Sequence, residues 1–139
     1  MHFLHVHWPA VIVSAIAIFI LGGLWYSKAL FATKWIALMG ITEEQMKAKP
    51  SAPMPVLLLQ ALICSFLISL VLALIINHFP PYHPLHGALA GFACWLGFAA
   101  STSYATAVFS LQPKALWLIN SGYNLVSFVM AGAILGAWR

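Results

Sequence analysis

Four apolar stretches, running roughly over 9–26, 54–77, 85–109 and 116–138, take up most of this 139-residue chain. A helix needs about 20 apolar residues to cross a hydrocarbon layer about 30 Å thick, and each stretch approaches or exceeds that length. Hydrophobic residues make up 63% of the chain and charged ones 6%, against roughly 25% charged in a soluble domain. Backbone groups inside a bilayer must be satisfied by the protein itself, which leaves helices or a closed barrel. Barrel strands alternate apolar and polar residues, whereas Val56-Leu57-Leu58-Leu59 and the run from Leu70 to Ile76 are unbroken. The chain reads as one all-α integral membrane domain, residues 1–139, with four transmembrane helices.

With four spans, both termini and the second loop share one side. Lys28, Lys34, Lys47 and Lys49 fall in the first loop and Lys114 in the third, while the opposite side holds only Arg139. The excess of Lys and Arg predicts that these two loops are cytoplasmic and both termini outside, in the cell (inner) membrane. Within the first loop, Lys28 to Met39 sets Leu30, Phe31, Trp35, Leu38 and Met39 in a short basic segment. That predicts a short amphipathic helix in the headgroup layer between the first two spans, ended by Gly40. Thr42 and Gln45 suit a capping box, prolines lead into the second span, and Phe79-Pro80-Pro81-Tyr82 reads as a tight turn. The first residues carry no Lys or Arg, so the first span is expected to stay in the mature protein rather than be cleaved as a signal.

The basic residues are scattered singly, as topology signals and lipid contacts are, so the expected surroundings are a bilayer and not nucleic acid. No Asp or Glu lies in any span, and the only Lys is Lys28 at an edge. Ion-coupled transport and acid–base catalysis both draw on such groups, so neither a pump nor an enzyme is expected. Cys64 and Cys94 fall mid-span and read as small apolar fillers.

Three motifs stand out. Gly87 with Gly91, and Gly132 with Gly136, form G-x-x-x-G pairs, which let helix backbones approach closely, within the chain or between copies. Asn120, Asn124 and Ser127 share a helix face, and Tyr123 lies beside them. Ser101, Thr102, Ser103, Tyr104 and Thr106 sit at similar depth in the third span. These groups are expected to hydrogen-bond across the bundle, or to line a path for a small solute with Ser101, Thr102, Asn120, Tyr123 and Asn124. The third motif is histidine: His2, His5 and His7 precede the first span, and His78, His83 and His86 border the second loop. Imidazole is a common transition-metal ligand, and His5, His7, His83 and His86 are the candidates for a zinc or copper site. No carboxylate accompanies them on that side.

The runs Leu21-Gly22-Gly23-Leu24-Trp25-Tyr26-Ser27, Lys34-Trp35, Met39 to Glu44, Trp95-Leu96-Gly97-Phe98, Leu118 to Tyr123 and Gly132 to Trp138 together resemble the family known as domain of unknown function 1761. The resemblance spans nearly the whole chain in order. It implies a small four-helix prokaryotic membrane protein and supplies no activity. The family pattern has Asn where this chain has His7, and Pro where it has Lys28, so the histidines look particular to this member.

The leading expectation is a non-enzymatic membrane component, acting as a homo-oligomer or as a small subunit of a larger complex, with the glycine faces of spans three and four as working surfaces. Passive passage of a small solute through an oligomer is the second expectation, and metal binding by the histidines the third.

Overall fold

The structure, a computed structural model, describes residues 6–27, 30–40, 44, 53–78 and 83–138. His2, His5, Lys28, the Thr42–Gln45 capping box, the Phe79–Tyr82 turn and Arg139 lie outside these. Among the described residues every regular element is helical: α1 (Trp8–Trp25), α2 (Ala32–Met39), α3 (Met54–Ile76), α4 (Pro84–Phe109) and α5 (Lys114–Ala137). All but α2 are long and apolar enough to cross a membrane. The short amphipathic helix expected between the first two spans is α2.

Two spans begin alike. His7 caps α1, its Nδ1 accepting the Ala10 N–H at 3.3 Å, and His83 caps α4, accepting the Leu85 N–H at 3.1 Å. A proline follows within the first two helical positions of each. The cap satisfies an otherwise orphaned N–H, and proline loses nothing where no intrahelical partner exists. α2 stops at Gly40, whose φ of 75° is the left-handed cap that glycine adopts without strain.

The core belongs to three helices. Ala10, Val11 and Ile18 of α1, Leu72, Ala73 and Ile76 of α3, and Ala131 and Leu135 of α5 form one buried cluster. All but Ile18 lie toward the end of the bundle that carries His7 and His83, here the histidine end. Toward the opposite, lysine end, α3 leaves its neighbours: residues 55–64, Cys64 among them, are exposed throughout. An apolar groove of about 360 Å³ opens there between Phe19, Gly22 and Gly23 of α1, Leu58 and Ala61 of α3, and Tyr123 of α5.

α4 joins this core through α5, and the contact is dense over Pro84–Cys94 and thin beyond. The reason is the absence of side chains. A Cβ on Gly87 would stand 1.9 Å from the Gly132 carbonyl oxygen, one on Gly91 2.1 Å from that of Phe128, and one on Gly136 2.4 Å from that of His83. Backbone rests on backbone, which lipid-embedded helices need because hydrocarbon supplies no hydrophobic drive for association. The four glycines thus pack within the chain, the first of the two uses expected of them, and their faces are not free to be the working surfaces for another copy.

Candidate functional site

Past Cys94 the two helices part around larger side chains. α4 first widens into a π turn over Trp95–Ala100, before resuming as an α-helix at Ser101. A wide turn displaces carbonyls from their usual donors, and in a membrane each needs a replacement. The hydroxyl run supplies it. Ser101 Oγ donates to the Leu96 carbonyl at 2.6 Å, Thr102 Oγ1 to that of Phe98, and Ser103 Oγ to that of Ala99 at 2.7 Å. Thr106 Oγ1 continues the ladder to the Thr102 carbonyl at 3.1 Å. These hydroxyls were expected to hydrogen-bond across the bundle; they donate to their own helix, and Ser103 alone of the run also accepts a bond across it among the described residues.

The bonds between helices come from aromatic side chains. Trp25 Nε1 donates to the Ile119 carbonyl at 2.9 Å and Trp95 Nε1 to that of Ser121 at 3.0 Å, so α5 is gripped from α1 and from α4. Tyr26 Oη donates to Asn120 Oδ1 at 2.7 Å, and Trp117 Nε1 to Ser103 Oγ at 3.0 Å. α2 docks on the same end: Phe31 lies 4.8 Å from Trp25, and Trp35 lies 5.6 Å edge-on from Tyr26, ring centre to ring centre.

Between the parted helices lies a polar cleft of about 370 Å³. Thr102, Ser103 and Thr106 form one wall, Trp117, Asn120, Ser121 and Asn124 the other, and Gln112 closes the loop end. Leu111 and Gln112 donate to the carbonyls of Val108 and Ala107, a left-handed helix cap that puts Leu111 at φ 56°. A leucine held there is strained, and that strained turn places Gln112 at the cleft.

Of the five polar residues singled out from sequence, Thr102, Asn120 and Asn124 meet here. Ser101 is exposed away from the cleft on its own backbone bond. Tyr123 does not line the cleft and turns toward α1, where its hydroxyl donates to the Ile18 carbonyl at 3.0 Å and lies over Gly22. Tyr123, three residues past Asn120, shares the Tyr26 contact with it, and only packing against α1 draws its side chain away from the cleft. Gln112, Trp117 and Ser121 complete the cleft; nothing in the linear order of the α4–α5 turn signals that Gln112 folds back.

Both Nδ1 atoms of His7 and His83 serve as helix caps. The His7 ring lies 5.5 Å from that of Trp138, and the His83 and His86 rings lie 5.6 Å apart. Among the described residues no three His, Cys, Asp or Glu side chains converge as a metal centre would need, and His5 is not among the residues described.

Comparison with known proteins adds one finding. A family model described as protein of unknown function (DUF1761) matches residues 9–136. No curated protein and no solved structure matches the chain.

Proposed function

From the premise that this chain belongs to the DUF1761 family, we propose that it is a non-enzymatic multi-pass membrane component that assembles with further copies of itself. The observation that carries this is the free side of α4. Ala93, Gly97, Ser101 and Ala105 recur along it at intervals of four and are all exposed. A Cβ on Gly97 would meet nothing within 4 Å. Small residues at this interval allow close backbone approach, and a second copy offers the matching face. The glycines of Gly87 and Gly132 show how this chain already uses such faces internally.

In the proposed orientation the lysine end is cytoplasmic and both termini are outside, following the Lys excess in the first and third loops. Passive passage of a small solute would need the oligomer itself to form the path, because within one chain the cleft does not continue past the Gly91–Phe128 backbone contact. A metal at the histidines is the weaker reading, since the cap bonds already engage one nitrogen each of His7 and His83.

Subunit counting in bilayers at increasing protein density tests the proposal. A defined oligomer that dissociates in Gly97→Ile and Ala93→Ile is the expected result. A chain monomeric at every density, an oligomer indifferent to both changes, or co-purification only with a different protein would overturn it.

A further inference from the structure

We propose that the α4–α5 cleft binds an uncharged polyhydroxyl group, such as a sugar or glycerol moiety, arriving either as a free solute or as the headgroup of a lipid. This inference stands apart from self-association. At about 370 Å³ the cleft is of a size with small-molecule sites. Its lining contains no Asp, Glu, Lys, Arg or His. Lys114 belongs to an adjoining hollow that shares Gln112 and Trp117 with the cleft.

The hydrogen-bonding capacity left over decides the ligand class. Thr102 and Thr106 have used their protons on backbone carbonyls and offer only lone pairs. Asn120 has its oxygen engaged by Tyr26 and offers N–H. Among the described residues the amides of Gln112 and Asn124 have no hydrogen-bond partner, so each offers both kinds of group. At the floor, the hydroxyl of Ser121 is buried with no partner at all, in a residue 3% exposed. Donors and acceptors are thus mixed around one space. A carboxylate brings acceptors alone and an ammonium donors alone, and in a lining without Asp, Glu, Lys, Arg or His any ion would enter with its charge uncompensated. A hydroxyl gives and accepts through a single atom, which suits every position around the wall. The unpaired Asn124 amide lies within a span, where such a group is costly, so a ligand that pairs it is favoured over hydrocarbon.

The walls are also held in place before any ligand arrives. Trp117 is tied to Ser103, Asn120 to Tyr26, and the Ser121 backbone to Trp95. A site fixed in advance loses less freedom on binding.

The test uses the full chain in nanodiscs, with native mass spectrometry and ligand-observed NMR as readouts. The probes are free glucose, free glycerol and monoglucosyl-diacylglycerol, with phosphatidylethanolamine as the charged-headgroup control. Saturable binding of a polyhydroxyl probe is expected, weakened about tenfold or more by Asn124→Leu. Gln112→Leu, outside the helices, gives a second variant should Asn124→Leu fail to fold. Binding of the free compounds identifies a solute site, and binding of the glycolipid alone a headgroup site. Absence of saturable binding, equal binding by wild type and both variants, or equal retention of phosphatidylethanolamine would overturn the inference.

Discussion

The same two helices, α4 and α5, meet in opposite ways at their two ends. At the histidine end Gly87, Gly91, Gly132 and Gly136 remove every intervening side chain, and the backbones touch. At the lysine end Trp95, Ser103 and Trp117 hold the helices apart by hydrogen bonds at about 3 Å, and a polar cleft opens between them. The first contact depends on shape and tolerates no added atom. The second depends on directed bonds and leaves room. One helix pair is therefore rigid where it anchors α4 to the core and hollow where it presents chemistry. The change occurs at the π turn, which widens α4 just beyond the last glycine contact.

The largest effect is expected where backbone meets backbone. Gly87→Leu should destabilise the fold by about 3 kcal/mol or more, because the obstructing atoms are carbonyls that have nowhere to move. Denaturation in mixed micelles measures it. A loss below about 1 kcal/mol would show that the glycine contact is not the anchor.

At the other end the losses should be those of single bonds. Tyr26→Phe frees Asn120 Oδ1 and should cost about 0.6–1.7 kcal/mol by the same measurement. A cost rivalling Gly87→Leu would erase the distinction between the two ends. Leu111→Gly should act in the reverse direction, stabilising by about 1 kcal/mol, since glycine accepts the left-handed geometry and Leu111 is 90% exposed.

Smaller still is the control within the same helix. Gly97→Ala meets no atom within 4 Å and should change stability by no more than about 1 kcal/mol, in the stabilising direction. Ser69→Ala belongs with it: the Ser69 hydroxyl is fully buried without a partner, so its removal should be neutral or mildly stabilising. A large loss at Ser69 would reveal a buried bond.

Runs such as Leu70–Ile76 required spanning helices, because a bilayer leaves only helices or a closed barrel and barrel strands alternate apolar with polar residues. Helix ends were equally local, as Pro84 and Gly40 show: both act through their own backbone. The meeting of Thr102 with Asn120 and Asn124 followed from depth, since an antiparallel pair brings the end of α4 to the start of α5. Other features were not local. Whether Gly87 faces Gly132 or another molecule depends on which faces are already taken, and only packing decides that. The hydroxyls of Ser101 and Thr102 turned inward to their own carbonyls because a π turn had displaced them, and no spacing in the chain announces that turn. Gln112 reached the cleft through the backbone of a strained Leu111. Length and hydropathy determine that this chain crosses a bilayer, because desolvation acts on each segment separately. Which polar groups remain unpaired was decided by the tertiary structure, because pairing is a property of neighbours.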